Sequence, residues 1–312
     1  MDIKERLKKL LDKCIAKRYI IKEKVKYETL REHRDNLLKH AKTLKELGYI
    51  SEYQYFLLKE ACEYHDYGKM NKYFQDRIKN GGKFDWKKEI YHNLISLIFV
   101  DEEIFEDKAD YYIVIYAIVN HHYYLDNINY LDKKGNRDKI SSIYEEIVGI
   151  KKKIDIELID ELATIEALGL KSGILTGLLN KCDYAASGNY QVEYKNDFLL
   201  NKMNNLGYKW NKMQEYLIEN RDNNVVVVAN TGMGKTEGAF LWIGDTKGFF
   251  ILPIRTAINA IYERTKNQIL NGKTQNRLSL LHSEALDYLL ENNDNGIYED
   301  IKQEYSSGKN LF

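Results

Sequence analysis

The chain has 312 residues, of which 44% are hydrophobic and 30% charged, and its 47 Lys and Arg are balanced by 47 Asp and Glu. This length predicts about two domains. The zero net charge excludes a protein that attracts nucleic acid through a field of its whole surface. Any such interface must be a local patch. The residues up to Lys26 have ten Lys and Arg against four Asp and Glu, although a solvated helix face is the simpler interpretation.

The cysteines and the apolar segments predict a soluble, cytoplasmic protein. Cys14, Cys62 and Cys182 form no CxxC pair, which is typical of buried thiols in a reducing compartment. The first ten residues lack the apolar stretch of a signal peptide. The longest apolar run, Tyr111–Val119, has nine residues and is too short to cross a bilayer.

Apolar residues recur at helical spacing up to about residue 205, which predicts a helical domain over 1–205. The single proline of the chain, Pro253, fits uninterrupted helices in this part. The polar stretch Asp126–Asp138 predicts a surface loop. The predicted helices cover residues 3–15, 29–47, 52–65, 86–101, 110–122, 141–150, 155–168 and 171–186.

After residue 205, short apolar runs alternate with helical segments. Val225–Val228 is a β-branched run without amphipathic alternation, as expected of a buried parallel strand. Such alternation is typical of an α/β domain with a parallel sheet, so we predict a partial lobe of this kind over 206–312. Its other predicted elements are the strands Phe249–Leu252 and Leu278–Leu281 and the helices Lys235–Ile243 and Thr256–Ile269.

Six of the seven histidines fall within the first 122 residues, each in a predicted helix or at its end. His33 and His40 lie on the apolar face of one helix, where an unpaired imidazole is costly to bury. Imidazole and carboxylate are ligands for Mn, Fe, Co, Ni or Zn. The set therefore predicts a metal site, with His33 and His40 as alternative ligands.

The adjacent residues His65 and Asp66 are the centre of the predicted site. Neighbouring side chains point about 100° apart in mid-helix, so they converge on one site only at a helix end, and Gly68 predicts such an end. A carboxylate can bridge two ions about 3.5–4 Å apart. Asp66 is the predicted bridge and His65 a terminal ligand of a site that hydrolyses phosphodiesters.

The order and context of these motifs resemble the HD nuclease domain of the CRISPR-associated nuclease–helicase of type I interference systems. The matching pieces are Leu30–His33, His65–Lys69, His92 with Ser96, Asn120–His122 and Asp183–Ala186. The resemblance implies metal-dependent cleavage of single-stranded DNA, delivered by a CRISPR surveillance complex of the Cascade type, with Mn, Fe, Co or Ni as the ions.

The resemblance also implies the ligands and catalytic residues. Two divalent ions share Asp66, and Lys69 neutralises phosphate charge beside it. The first ion is held by His33, His65, Asp66 and Asp183, and the second by Asp66, His92, His121 and His122.

Residues 229–236 read Ala-Asn-Thr-Gly-Met-Gly-Lys-Thr, a Walker A variant with alanine at its first glycine position. Backbone N–H groups of Thr231, Gly232 and Gly234 would cradle phosphates, with Lys235 on the β/γ-phosphates and Thr236 on Mg²⁺. The loop resembles motif I of superfamily-two helicases. Gln214 is placed like their adenine-reading glutamine. Residues 252–257 resemble motif Ia, and residues 282–284 the next DNA-contacting segment.

No Asp-Glu-x-His stretch follows the third predicted strand, so the carboxylates of a Walker B motif are missing from the pattern. We therefore expect the first part of a longer protein or a truncated product, able to bind ATP with Mg²⁺ in the full-length protein. This chain alone would not unwind DNA with ATP. Two alternatives are a nucleotide phosphohydrolase of the HD type and a nucleotide- or DNA-binding module with an inactive nuclease site.

Overall fold

The computed structural model describes residues 3–21, 24–85, 87–122, 126–168, 170–272 and 277–291. The chain divides into two compact units, Met1–Val192 and Glu193–Phe312. The division lies some way before residue 205, where the sequence suggested it, because the short helix Leu199–Asn204 packs with the second unit.

The first unit is a bundle of helices around one hydrophobic core. Its central helix, α6, is apolar on all sides, with Val114, Ile115 and Ile118 fully buried, as expected of a helix that packs in the middle of a bundle. α6 contacts α3, α9 and α10. The helices of this unit are α1 (Ile3–Lys13), α2 (Leu30–Glu46), α3 (Glu52–Tyr64), α4 (Lys72–Asn80), α5 (His92–Ser96), α6 (Lys108–Asn120), α7 (Asn127–Asp132), α8 (Lys134–Val148), α9 (Ile156–Leu168) and α10 (Leu170–Gly188).

A β-hairpin follows α1, which the helical interpretation of the first 205 residues did not anticipate. Strands β1 (Ile15–Ile21) and β2 (Lys24–Thr29) pair antiparallel, with Tyr19 opposite Lys26. β2 leads directly into α2, whose first turn is closed by a capping box between Thr29 and Glu32. The alternation of apolar and charged residues in β2 was a usable signal for a strand.

Two further segments of the first unit differ from the sequence-based prediction. The helix expected over 86–101 is only the short α5, followed by a 3₁₀ turn at Leu97–Phe99, and Trp86 lies outside the described residues. The surface loop expected over 126–138 contains α7 and the start of α8, and Ile128 and Leu131 are buried in the core. The polar composition of this stretch led to the wrong prediction of a loop, because α7 buries only one of its faces.

The second unit is helical where it is regular, and the predicted parallel sheet is wrong. Residues 225–228, 249–252 and 278–281 form no strand, and Val226 and Val228 are 93% and 95% exposed. An apolar β-branched run becomes a strand only when neighbours supply its ladder hydrogen bonds, and none of the described residues does so here. The helices are α11 (Leu199–Asn204), α12 (Lys212–Glu219), α13 (Lys235–Ile243), α14 (Arg255–Arg264, extended by a π turn over Thr265–Ile269) and α15 (Ala285–Glu291).

Within the described residues, no single helix has the length and apolar composition needed to cross a membrane. The segments Ile156–Ala167 and Ser172–Gly188 meet that criterion only as a pair, and they are bent by 93° relative to each other.

Candidate metal centre and phosphate loop

The ends of α3 and α6 present two histidines in the same way. His65 and His121 are the C-cap residues of these helices. The Nδ1 of His65 lies 3.0 Å from the carbonyl of Cys62, and the Nδ1 of His121 lies 2.6 Å from that of Ile118. A carbonyl only accepts, so each Nδ1 carries the proton and donates. Each neutral ring therefore keeps its lone pair on Nε2, the atom available to a metal.

The first group of potential ligands consists of His33, His65 and Asp183, whose ligand atoms all lie within 4.8 Å of one another. All three residues are buried. The Nε2 of His33 hydrogen-bonds to Oδ1 of Asp183 at 3.1 Å. Its other nitrogen, Nδ1, lies 3.5 Å from the carboxylate of Glu28 in β2, without the geometry of a hydrogen bond.

The second group consists of His92, His121 and His122, with ligand atoms again within 4.8 Å. His92 is the first residue of α5, and the other two end α6. The His92 and His122 rings lie 5.1 Å apart, centroid to centroid. The adjacent His121 and His122 converge because the helix has ended, as the geometry of neighbouring side chains requires.

Asp66 lies between the two groups, and each of its oxygens faces one of them. Oδ2 lies 3.5 Å from Nε2 of both His33 and His65. Oδ1 lies 3.2 Å from Nε2 of His92, without the geometry of a hydrogen bond. The carboxylate is 4% exposed. It has the position of a bridging ligand, with one oxygen directed to each group.

Lys69 is the cation nearest to this carboxylate. Its Nζ lies 2.6 Å from Oδ2 of Asp66. Burial alone would raise the pKa of Asp66, but the positive charge of Lys69 outweighs burial and holds that pKa well below its usual range. Asp66 is therefore ionised at neutral pH.

The histidines of the second group are held neutral. Burial lowers the pKa of His92 to about 3, and those of His121 and His122 to about 4. Burial also lowers the pKa of His65. Neutral imidazole is the metal-binding form, so these four rings would not need to lose a proton before binding an ion.

His33 behaves differently. Burial acts to lower its pKa, but its contacts with Asp183 and Glu28 and the charge of Asp66 outweigh burial and raise the pKa to about 9. The protonated ring offsets the surrounding carboxylates. A metal ion at the first group would displace this proton.

Gly68 holds the Asp66 segment against α5. The helix end that Gly68 predicted comes four residues earlier, at Tyr64, and Gly68 itself lies in a 3₁₀ turn over Tyr67–Met70. A Cβ at Gly68 would lie 2.0 Å from the carbonyl oxygen of His92, so only glycine permits this approach. Its N–H donates to Oγ of Ser96 at 2.8 Å, and that hydroxyl donates to the His92 carbonyl.

Three residues that the sequence patterns did not indicate support the histidines, namely the buried Asn93 and Asn127 and the half-buried Glu28. The side-chain amides of Asn93 and Asn127 both donate to the carbonyl of Val119, at 2.5 and 3.0 Å, and so satisfy the end of α6 just before His121. Glu28 contacts His33. Asn93 follows a predicted ligand directly, which was a usable signal, whereas Asn127 falls in the stretch predicted to be a loop.

His40, the alternative to His33, is in neither group. One heptad further along α2, it is displaced by about 10 Å along the helix axis. His40 is half-buried, and this burial lowers its pKa.

The donor atoms fit a transition metal ion. Nε2 of His65, His92 and His121 is buried and has no hydrogen-bond partner among the described residues. Orphaned buried nitrogens are costly, and several at one place call for a partner such as an ion. A set of imidazoles and carboxylates suits Mn, Fe, Co, Ni or Zn better than Mg, which prefers oxygen ligands.

The predicted phosphate loop of the second unit has part of its expected local geometry. Gly232 and Gly234 both have positive φ, and α13 begins at Lys235 directly afterwards. The Nζ of Lys235 donates to the carbonyls of Ala229 and Asn230, each at 2.9 Å. Thr231 is exposed and Thr236 half-buried.

Gln214 is buried, and both the oxygen and the nitrogen of its side-chain amide form hydrogen bonds. Oε1 accepts from the N–H of Asn211 at 3.0 Å, and Nε2 donates to the carbonyl of Gly234 at 3.1 Å. In this conformation Gln214 attaches the start of α12 to the phosphate loop. The two segments that resemble DNA-contacting motifs, residues 252–257 and 282–284, are joined by an ion pair between Arg255 and Glu284.

Comparison with known proteins finds partial similarity to the CRISPR-associated nuclease/helicase Cas3 of Methanothermobacter thermautotrophicus, 30% identical over 130 residues. The match covers 38% of this chain and 15% of the length of that protein. No family model and no solved structure matches the chain. The similarity links part of the chain to Cas3.

Proposed function

We propose that the chain is a metal-dependent nuclease of the HD type that cleaves single-stranded DNA in CRISPR type I defence. Its nuclease domain, predicted over 1–205, would be the first unit, Met1–Val192, and the incomplete, nucleotide-binding part of a helicase, predicted over 206–312, would lie in the second unit. The observation that carries the proposal is Asp66, whose two oxygens face two separate histidine groups. The partial similarity to Cas3 supports the assignment to CRISPR defence.

The proposed ligands are His33, His65 and Asp183 for one ion, His92, His121 and His122 for the other, and Asp66 for both. Two divalent ions held by these residues would lower the pKa of bound water and stabilise charge on the attacking and leaving oxygens. The C-cap histidines His65 and His121 hold their tautomers through backbone carbonyls. Lys69 offsets phosphate charge beside Asp66.

The partners and nucleotide are part of the same proposal. A surveillance complex of the Cascade type would deliver the single strand. In the full-length protein the loop 229–236 would hold ATP with Mg²⁺. Support for this comes from the residues of the loop and the positive φ of its two glycines.

The test is cleavage of a circular single-stranded DNA by the full chain with Mn²⁺ or Ni²⁺, compared with Asp66→Asn. We expect cleavage that requires the ion and is abolished by the substitution, since one residue contributes to both ion sites. A circle has no ends, so its cleavage separates an endonuclease from an exonuclease. Asp35→Asn is the control, because Asp35 lies on α2 with a half-exposed carboxylate paired to Arg34.

Other outcomes discriminate between the alternatives. Cleavage that persists in Asp66→Asn would contradict the bridging role. Hydrolysis of nucleoside triphosphates in place of DNA would indicate a nucleotide phosphohydrolase. Binding of DNA with no cleavage under any ion would indicate a binding module.

A further inference from the structure

A cavity of 310 Å³ opens beside the second histidine group. It is lined by His92 and His122, by Lys69, by Phe74 and Arg77 of α4, and by Phe84, Ile90 and Tyr91. We call it the aromatic cavity. Its volume is at the lower end of the range for pockets that bind small molecules, roughly 300–1,000 Å³.

Aromatic rings dominate the lining opposite the histidines. Phe84 and Tyr91 stack in parallel, with their ring centroids 4.4 Å apart and their planes within 3°. Both residues are only half-buried. Phe74 is buried at the base, with its ring 5.9 Å from that of His92. The cavity therefore offers aromatic surface next to the proposed metal ligands.

Two cations are held against these rings. The guanidinium of Arg77 lies 4.9 Å from the Phe74 ring and 5.7 Å from the Phe84 ring. Its Nε donates to the buried Glu89 at 2.9 Å, which fixes its direction. The Nζ of Lys69 lies 5.7 Å from the Phe74 ring.

The lining contains Lys69 and Arg77 and no carboxylate among the described residues, and the ion-pair partners of these two cations, Asp66 and Glu89, do not line the cavity. Ring faces and fixed cations together match a nucleotide, which has an aromatic base and an anionic phosphate. A non-aromatic amino acid or an unphosphorylated sugar would leave one of these two features without a partner.

We propose that the aromatic cavity binds one unpaired nucleotide of the substrate strand, its base against Phe84 and Tyr91 and its phosphate at Lys69 and Arg77. This inference rests on the proposed nuclease function, which makes the adjacent histidines the place of cleavage. A base inside the cavity has no complementary partner. The cavity thus gives a physical reason for preferring a single strand to a duplex.

The test is equilibrium binding to the full chain with a chelator present, so that no cleavage occurs. The two probes are a short fluorescent oligothymidylate and an abasic sugar-phosphate oligomer of the same length, which has the same charge but no bases. We expect Phe84→Ala to weaken binding of the oligothymidylate by roughly 5- to 150-fold, the effect of losing one stacked base. Binding of the abasic oligomer should not change.

Tyr73→Ala is the matched control, because Tyr73 is an aromatic residue on the neighbouring α4 that is 46% exposed and does not line the cavity. It should leave the affinity for both probes unchanged. If Phe84→Ala lacks the wild-type circular dichroism and melting transition, Phe84→Leu keeps an apolar side chain and should show the same selective loss.

A Phe84 substitution that affects neither probe, or both equally, would overturn the proposal. The proposed function is tested separately by cleavage with metal. Selective base-dependent binding without any cleavage would contradict the nuclease and retain the cavity as a nucleotide site. Cleavage without that selective loss would overturn the cavity proposal alone.

Discussion

The Nζ of Lys69 lies 2.6 Å from Oδ2 of Asp66, on the same oxygen that faces His33 and His65. Asp66 directly precedes the 3₁₀ turn Tyr67–Met70, and Lys69 lies within that turn, three positions later. The local backbone conformation therefore brings the two side chains together. The lysine thus offsets the charge of a carboxylate that is almost completely buried. It also lines the aromatic cavity, where it can meet a phosphate.

The first prediction concerns Lys69→Met, which keeps the length of the side chain and removes its charge. Cleavage should fall roughly 100-fold, as when a donor to a developing transition-state charge is lost. Metal affinity should not fall, because a cation beside a metal ligand repels the ion. Cleavage rates and titration calorimetry with Mn²⁺ measure the two effects.

Lys59→Met is the control for this prediction, because Lys59 pairs with Glu60 at 2.7 Å on α3 outside the site. It should change neither quantity. A parallel loss of metal affinity in Lys69→Met would show that Lys69 organises the ligands and does not act on phosphate.

The second prediction concerns Gly68→Ala. The new Cβ would lie 2.0 Å from the His92 carbonyl, so α5 must move away from Asp66. We expect a loss of about 1–3 kcal/mol in the free energy of unfolding, typical of overpacking, and weaker metal binding at the second group. Urea unfolding and the metal content after dialysis measure these changes.

Gly173→Ala is the matched control, because Gly173 is exposed within α10 and no atom lies within 4 Å of its added Cβ. It should stabilise the protein by about 0.5–1 kcal/mol, the difference in helix propensity between the two residues. Unchanged stability in Gly68→Ala would mean that α5 moves away from Gly68 at little cost in free energy.

The third prediction is a loss of stability of the metal-free protein on acidification. His92, His121 and His122 have a pKa of about 3 to 4 when folded and the ordinary value near 6.5 when unfolded. Between these values the unfolded chain binds more protons, so stability falls as the pH falls. Free Asp and Glu side chains are still largely ionised at pH 5.

The contribution of His33 to stability depends on pH in the opposite direction. Its pKa is raised to about 9, so its contribution is complete below pH 6.5 and is lost as the pH rises through 9. Three histidines outweigh one, and the chelated protein should be less stable at pH 5 than at pH 7 by at least about 1 kcal/mol. Urea unfolding at the two pH values measures this; equal stability would mean that the site opens and hydrates the rings.

The fourth prediction concerns nucleotide binding by the second unit. Lys235→Ala should weaken binding of ATP by roughly 10- to 100-fold, the effect of losing a hydrogen bond between charged groups. Lys209→Ala is the control, because Lys209 is exposed and distant in sequence from the loop. Calorimetry measures affinity. We expect no DNA-stimulated ATP turnover by this chain, and sustained turnover would contradict that expectation.

The sequence by itself determined which residues are available for the site. Helical periodicity put His33 on an apolar face, and a helix end was needed for His65 and Asp66 to converge. The structure ends α3 at Tyr64, directly before this pair. Such features depend on residues close together along the chain, so sequence patterns contain them.

Only the tertiary structure decided how these residues meet. His33 and Asp183 are separated by 150 positions and meet at 3.1 Å, a contact that spacing could not give. The missed hairpin supplies Glu28 to His33. The predicted parallel sheet failed for the same reason, since a periodic pattern specifies which face of a segment is apolar but not which partner covers it. Long-range packing supplies that partner for the histidines of the first unit, whereas the described residues of the second unit leave Val226 and Val228 exposed.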